Sequence, residues 1–321
     1  MQTIKLGATD LEVSRICLGT WQFGGEWGAI DRGEAIASAA RARELGIDFF
    51  DTAQAYGFGA SEELLAEALQ GVPREQVVLA TKGGLRKEGD ELLRDSSPQW
   101  LRAGLEASLR HLRTDYVDIY QVHWPDPSTP FAETAAALDE FVQEGKVRYV
   151  GASNYDVLQI AEFAMTRRLD TLQPPYHMLR REIEDATLPY CREHDIGVLA
   201  YGPLAHGLLS GGFTRDTQLA PDDWRAGSDL FSGENFTRNL EIVERLQELA
   251  RELDITVAQL AIAWTLANPA VHVAIVGARR PAHIEGAAPA AEVRLDADAM
   301  TRIEEILAQA AMVGGPTPEG V

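Results

Sequence analysis

Cysteine is scarce in this sequence, with only Cys17 and Cys191 among 321 residues. So few cysteines exclude a disulfide framework and fit a reducing compartment. The first residues, MQTIKLGATDLEVSR, also lack a cationic segment followed by an apolar stretch, so no signal peptide is predicted. We therefore expect a cytoplasmic protein.

Long hydrophobic runs and basic charge are lacking as well. The most apolar tract, LAIAWTLANPAVHVAIVG, is interrupted by Asn268, Pro269 and His272, which argues against a membrane span. Lysine and arginine number 29 against 49 acidic residues, and the net charge of −20 repels nucleic-acid phosphates and anionic membrane surfaces. We expect neither partner, and we predict no metal site. An anionic small-molecule ligand would need a local basic pocket.

The sequence instead contains a regular alternation of short β-rich runs and amphipathic stretches. The stretches SEELLAEALQ and PQWLRAGLEASLRHL carry apolar residues at helical spacing. Near-continuous apolar strands separated by helices indicate parallel pairing with the helices outside, and eight such units favour a closed barrel. The eight runs occupy residues 15–21, 47–53, 77–83, 116–123, 147–153, 169–176, 196–202 and 271–278. We predict an α/β fold, a (β/α)8 TIM barrel, as a single domain over residues 1–321.

Two segments fall outside the eight units. Residues 1–16 carry Gly and Asp turn signals and predict a β-hairpin that closes the bottom of the barrel. Residues 208–235, between strands seven and eight, form a long irregular segment rich in Gly, Asp and Ser. Loops of this length are typically functional, so we predict a lid.

Polar residues follow the predicted strands, where a TIM barrel carries its active site. The segment FFDTAQAYG brings Asp51 and Tyr56 to the end of strand two, and Lys82 and His123 follow strands three and four. A buried lysine needs an acidic partner, and Asp51 is the natural one for Lys82. A cation beside a phenol stabilises the phenolate, which adapts Tyr56 for proton transfer. A neutral His123 can then position a carbonyl oxygen.

Each of these residues also has an ordinary structural explanation. Asp51 can cap a turn, Tyr56 can pack at the barrel rim, and His123 can be a hydrogen-bonded core histidine. A lysine directly after a buried strand is harder to explain by packing, because an unpaired ammonium is costly there. The four residues together therefore favour a catalytic site.

A site that only moves protons contains no hydride donor, so we expect a nicotinamide coenzyme. The usual glycine motif is incomplete, because Glu62 stands in GFGASE where a third glycine belongs. Arg279 and Arg280 follow strand eight, where barrels often bind phosphate, and they precede Pro281 at a predicted helix start. They predict a site for the coenzyme phosphate, although a solvated basic pair is the alternative.

Residues near three other strand ends suit a nicotinamide ring. Tyr201 can stack on the flat ring, or it can be a core aromatic residue. Ser153, Asn154 and Gln173 can hold the carboxamide through their polar side chains.

The sequence resembles the aldo-keto reductase family over nearly its whole length. The resemblance is carried by LGTWQFGG, DTAQAYGFGASEELLAEAL, ATKGG, YVDIYQVHWPD, GKVRYVGASN, QPPYHMLRREIE, YGPLAHGLLSG and AIVGARRP. It implies a (β/α)8 barrel and NADPH-dependent carbonyl reduction by a tetrad, here Asp51, Tyr56, Lys82 and His123. The short C-terminus resembles the microbial and potassium-channel β-subunit branches more than the mammalian members.

The coenzyme and substrate sites are assigned on the same resemblance. We assign coenzyme binding to Thr20, Trp21, Ser153, Asn154, Gln173, Tyr201, Gly202, Pro203, Leu204, Gly207, Leu208, Gly277, Ala278, Arg279, Arg280 and His283. We assign the substrate pocket to Trp21, Phe23, Trp27, Phe58 and Trp124. The sequence departs from the family at the adenosine end, where His283 and Gly286-Ala287 replace the usual residues near the adenine.

Three functional alternatives follow from these assignments. The first is NADPH-dependent reduction of aldehydes or ketones, with NADP⁺ as product and Tyr56 as proton donor. The second is the reverse oxidation of a sugar or polyol. The third is a redox-sensing regulatory subunit that binds NADPH and a partner protein. A homo-oligomer is compatible with each of them.

Overall fold

The computed structural model describes residues 1–25, 27–28, 30–89, 91–220 and 223–315. Its strands are β1 (Thr3–Lys5), β2 (Glu12–Ser14), β3 (Ile16–Gly19), β4 (Phe49–Asp51), β5 (Val78–Gly83), β6 (Leu85–Glu88), β7 (Glu91–Arg94), β8 (Val117–Val122), β9 (Val147–Ser153), β10 (Thr171–Gln173), β11 (Gly197–Tyr201) and β12 (Val273–Gly277). The helices are α1 (Arg32–Glu44), α2 (Ala60–Ala68), α3 (Pro98–Leu112), α4 (Phe131–Gln143), α5 (Val157–Ala164), α6 (Thr187–Glu193), α7 (Gly233–Glu252), α8 (Val257–Ala267), α9 (Pro281–Ala287) and α10 (Ala297–Leu307).

Eight of the strands form a closed parallel barrel. The ring runs β3, β4, β5, β8, β9, β10, β11 and β12, and β12 pairs again with β3. These are the eight predicted runs, so the predicted (β/α)8 barrel is confirmed. The register pairs Gly277 with Gly19 and Gly19 with Asp51, which brings the carboxyl ends of neighbouring strands to one rim of the barrel.

The helix starts follow local sequence signals. Ser97 accepts a hydrogen bond from the backbone of Trp100 and Pro98 occupies the first turn of α3. Asp156 and Thr256 each form a reciprocal capping box with a glutamine three residues later, at the starts of α5 and α8. These caps fix where the helices begin against the barrel.

The N-terminal hairpin closes the bottom of the barrel. Strands β1 and β2 pair antiparallel, as predicted. Leu6, Leu11 and Val13 are buried and pack with residues inside the barrel: Cys17, Phe49, Ala80, Ile119, Leu199, Val273 and Ile275. Gly7 has a left-handed backbone, and a Cβ there would lie 2.5 Å from the amide nitrogen of Gly197. The hairpin is therefore pressed against the start of β11.

Two loop segments at the opposite rim, the one after β5 and the predicted lid, line the site. A second hairpin, β6 and β7, follows β5 directly, and its short polar strands gave no strand signal in the sequence. The described part of the predicted lid begins inside a short helical turn, Ala205–Ser210, and contains two more, Trp224–Gly227 and Asp229–Phe231. It ends earlier than predicted because α7 begins at Gly233.

In the described part of the chain, no helix is both long enough and apolar enough to cross a bilayer.

We predict that Leu6→Ala destabilises the fold by about 2–5 kcal/mol, because it leaves a cavity in the barrel floor. Leu6 is 0% exposed, whereas Leu158 on α5 is 79% exposed, so Leu158→Ala is the matched control. Urea unfolding followed by circular dichroism measures both variants. Equal stabilities for the two variants would contradict a plugged barrel.

Candidate active site

A buried ion pair lies at the centre of the barrel rim. Lys82, near the end of β5, donates from Nζ to Asp51 Oδ1 at 2.5 Å, to the Thr52 carbonyl at 2.9 Å and to the Tyr56 hydroxyl at 3.1 Å. Lys82 is 1% exposed and Asp51 2%. The three donors of the ammonium thus have three oxygen partners, which a buried charge needs.

The second carboxylate oxygen of Asp51 is also satisfied. Gln173 donates from Nε2 to Asp51 Oδ2 at 2.8 Å, and Gln121 donates at 3.2 Å. Burial alone lowers the pKa of Lys82, but the charge of Asp51 and the contacts with Tyr56 outweigh it, so the pKa lies above its usual value. Lys82 therefore stays charged beside the phenol.

Tyr56 reaches this pair from a strained turn. The turn Tyr56–Gly59 follows β4, and Gly57, Phe58 and Gly59 all have positive φ, at 60°, 47° and 106°. Such a backbone costs free energy at Phe58 and persists where the surrounding structure holds it. A Cβ at Gly57 would lie 2.6 Å from the Gly24 carbonyl oxygen, so the turn is packed against the neighbouring loop.

His123 faces Tyr56 across the site. The two ring centroids lie 5.6 Å apart in an edge-to-face arrangement. Within the described part of the chain, His123 Nδ1 is buried without a hydrogen-bond partner. Burial first, and then the charge of Lys82, hold the pKa of His123 well below its usual value. The imidazole is therefore neutral and can donate one hydrogen bond.

The residues assigned to the carboxamide form one hydrogen-bonded group. Ser153 Oγ donates to the Gln173 carbonyl at 2.8 Å, Asn154 Nδ2 donates to Ser153 Oγ at 3.1 Å, and the Tyr201 hydroxyl donates to Asn154 Oδ1 at 3.0 Å. Asn154 adopts a left-handed backbone at φ 62°. The structure thus brings all four predicted residues together beside the tetrad.

A cleft of about 1290 Å³ connects these groups with the far end of the rim. Predicted residues that line it are Asp51, Tyr56, His123, Thr20, Trp21, Trp27, Phe58, Trp124, Ser153, Asn154, Gln173, Tyr201, Gly202, Pro203, Leu204, Gly207, Gly277, Arg279 and His283. Gly286 also lines it, and a Cβ there would meet no atom within 4 Å. The cleft is therefore open beside Gly286.

The two arginines predicted to bind the coenzyme phosphate, Arg279 and Arg280, lie in different positions relative to the cleft. Arg279 lines the cleft and donates to the Trp27 carbonyl at 3.1 Å. Arg280 is exposed, and its Nε lies 3.3 Å from His283 Nε2. Burial, followed by the charges of Arg280 and Arg279, lowers the pKa of His283, so no third cation is added here.

Three tryptophans form the wall above the tetrad. Trp21 lies over Tyr56 with ring centroids 6.2 Å apart and over Trp224 at 5.8 Å, and Trp27 meets Trp21 edge to face at 4.9 Å. Trp224 belongs to the lid and was not predicted. The part of the cleft beside Tyr56 is therefore mainly aromatic.

The structure does not place the side chain of Phe23 in the predicted substrate pocket. It is 2% exposed and packs with Ala35 and Leu64 beneath the rim. Trp21 and Phe23 sit two residues apart on a tight helical turn, so their side chains point in different directions.

Two residues assigned to the coenzyme do not turn their side chains toward the cleft. The side chains of Leu208 and Ala278 are buried in the core between the barrel and its helices. They can contact a ligand only through their backbone.

Several lining residues were missed from the sequence. They are Gln22, Leu85, Lys87, Leu92, His206, Ser210, Trp224, Arg225, Thr256, Ala258 and Ala287. Trp224 offered a signal, as a large aromatic residue in a polar segment. Arg225 pairs with Asp223 at 2.6 Å, donates to the His206 carbonyl at 3.1 Å and lies 5.0 Å from the Trp27 ring centroid, so it ties the lid over the cleft.

Comparison with known proteins agrees with this architecture. The model of the Aldo/keto reductase family matches residues 15–308. Aldo-keto reductase YhdN of Bacillus subtilis is 40% identical over 89% of this chain and 87% of its own length. The NADH-specific methylglyoxal reductase of Escherichia coli is 40% identical over 93% of this chain and 96% of its own. The solved glycerol dehydrogenase of Gluconobacter oxydans superposes with a TM-score of 0.91 at 37% identity, covering 98% of both chains.

The barrel and its rim define an oxidoreductase of a class that uses a nicotinamide coenzyme. The chain belongs to the aldo-keto reductase family.

We predict that His123→Gln makes the fold less sensitive to mild acid. A histidine whose folded pKa is lowered binds fewer protons than in the unfolded chain, so stability is lost as pH falls below the unfolded value of about 6.5. The parent should lose up to about 1.4 kcal/mol per pH unit through His123 in that range. Urea unfolding between about pH 7 and 5 tests this. Identical slopes in parent and variant would show that His123 is not buried neutral.

Proposed function

We propose that the protein reduces aldehydes or ketones to alcohols with NADPH, with Tyr56 as the proton donor. One observation carries the proposal: a fully buried lysine that touches both Asp51, at 2.5 Å, and the phenol oxygen of Tyr56, at 3.1 Å. Packing does not require this arrangement, whereas proton transfer at a carbonyl oxygen does.

Each of the four side chains of the tetrad has a distinct role in the reduction of the carbonyl group. Tyr56 gives its proton to the carbonyl oxygen, and Lys82 stabilises the negative charge left on the phenol oxygen. Neutral His123 donates a hydrogen bond that holds the same carbonyl oxygen. Asp51 fixes the position of Lys82. When bound, the coenzyme supplies the hydride that the carbonyl carbon accepts, so the products are an alcohol and NADP⁺.

The cleft fits a dinucleotide coenzyme. Ser153, Asn154 and Gln173 would hold the carboxamide, and Tyr201 would stack on the ring. The segment from Gly202 to Gly207 also lines the cleft, which is open beside Gly286. His123 Nδ1 is buried and has no hydrogen-bond partner among the residues that the structure describes, which also favours a polar ligand at this site.

The choice of NADPH over NADH rests on the arginine pair. NADPH differs from NADH in carrying a 2′-phosphate, and a guanidinium binds phosphate through parallel charge-assisted hydrogen bonds. Arg279 lines the cleft and Arg280 lies beside it. The relative in Escherichia coli is NADH-specific, so the opposite preference is the alternative that the experiment must separate.

The direction of the reaction has a second candidate. The structural relative from Gluconobacter oxydans is a glycerol dehydrogenase, which favours alcohol oxidation with the same tetrad acting in reverse. The aromatic wall of Trp21, Trp27 and Trp224 instead suits aryl or alkyl carbonyls. Rates with NADPH and carbonyl, compared with NADP⁺ and alcohol, separate the two.

We predict that Tyr56→Phe lowers kcat by about 10²- to 10⁴-fold, because it removes the general acid. The affinity for NADPH should stay close to that of the parent, since the coenzyme contacts remain. Coenzyme oxidation is followed by absorbance and binding by tryptophan fluorescence. A variant that keeps most of its activity would refute Tyr56 as the proton donor.

We predict that Arg279→Ala or Arg280→Ala raises KM for NADPH while sparing NADH. A charge-assisted hydrogen bond is worth about 1.5–3 kcal/mol, which corresponds to roughly 10- to 100-fold in preference. The measurement is kcat/KM with both coenzymes, and Arg302→Ala on α10 is the control. If neither substitution changes the ratio, the phosphate site lies elsewhere.

A further inference from the structure

A second buried carboxylate lies behind the catalytic strand, outside the barrel. Glu62 on α2 is 0% exposed and takes no part in the proposed chemistry. Thr81 donates from Oγ1 to Glu62 Oε1 at 2.7 Å, and His111 Nδ1 on α3 lies 3.3 Å from Glu62 Oε2. A buried carboxylate lowers the stability of the fold unless hydrogen bonds or an opposite charge compensate for its lost hydration. The contacts of Glu62 therefore indicate a specific role for this residue.

Glu62 contacts, through Thr81, the strand that carries Lys82. Thr81 and Lys82 are adjacent on β5, and successive side chains of a strand point to opposite faces. Lys82 meets Tyr56 on one face, and Thr81 meets Glu62 on the other. The hydrogen bond therefore ties α2 to β5 one residue from the catalytic lysine.

Glu62 also supports, through His111, the turn that carries Tyr56. A Cβ at Gly59 would lie 2.4 Å from Cε1 of His111, so the imidazole ring is packed directly against that glycine. Gly59 ends the turn that begins at Tyr56 and has φ 106°. A strained turn needs such an outside support to keep one conformation.

We propose that Glu62 and His111 form a positioning pair that sets the contact between Tyr56 and Lys82. Glu62 contacts Thr81 on one side and His111 on the other, and His111 packs against Gly59. The pair thus joins the strand that carries Lys82 to the turn that carries Tyr56. The inference rests on the proposed reduction, since its readout is the rate of that reaction.

Other titratable groups lie around the pair. Glu63 on α2 places its Oε1 4.0 Å from His111 Nε2, and Tyr120 on β8 interacts with the charge of Glu62. Burial raises the pKa of Glu62, while the hydrogen bond from Thr81 and the contact with His111 act against that rise. Burial and the charge of Glu62 raise the pKa of Tyr120, which keeps that phenol neutral.

Two substitutions test the pair. Glu62→Gln should lower kcat by about 10- to 100-fold, as expected for a small misplacement of the reacting groups. The Kd for NADPH should stay within about twofold of the parent, because the coenzyme residues are untouched. His111→Ala removes the ring that packs against Gly59, so it should also lower kcat while the Kd for NADPH stays within about twofold of the parent.

A matched pair of variants covers the case in which Glu62→Gln fails to fold. Thr81→Val removes the hydroxyl donor at nearly constant shape and should lower kcat, while Thr81→Ser keeps the donor and should restore it. Equal kcat for these two, or an unchanged kcat in His111→Ala, would overturn the inference. A parent that reduces no carbonyl would instead refute the proposed function.

Discussion

The ion pair between Lys82 and Asp51 is the interaction on which the site depends. Two charges at this depth are tolerable only because Thr52, Tyr56, Gln121 and Gln173 supply the remaining hydrogen bonds. Those partners come from β8, β10 and the segment after β4, so the pair forms only when the barrel is closed. The hydrogen bonds that stabilise the buried charge of Lys82 also place the phenol of Tyr56 beside it.

The strands and their loops divide the roles. The strand ends hold the charged and amide groups rigidly, since their backbone is fixed by pairing on both sides. The loop segments line the outer part of the cleft, with Trp224 and Arg225 from the lid and Leu85 and Leu92 from the second hairpin. In the proposed function, chemistry and selectivity are carried by separate segments, as the fold permits.

The sequence predicts the barrel well because each strand is an apolar run between helical stretches. The positions of Asp51 and Lys82 follow, since the alternation places them at strand ends. The second hairpin could not be predicted, because its strands are short and polar. The error at Phe23 has another cause, since whether a side chain faces the cleft or the core depends on how a short turn rotates it.

The most direct test of the account is the fate of deuterium from NADPH labelled at nicotinamide C4, measured by mass spectrometry of the product of an aldehyde. The account predicts one alcohol per coenzyme oxidised, with the label on the former carbonyl carbon and solvent hydrogen on its oxygen. Coenzyme oxidation without labelled alcohol would contradict direct reduction at this site.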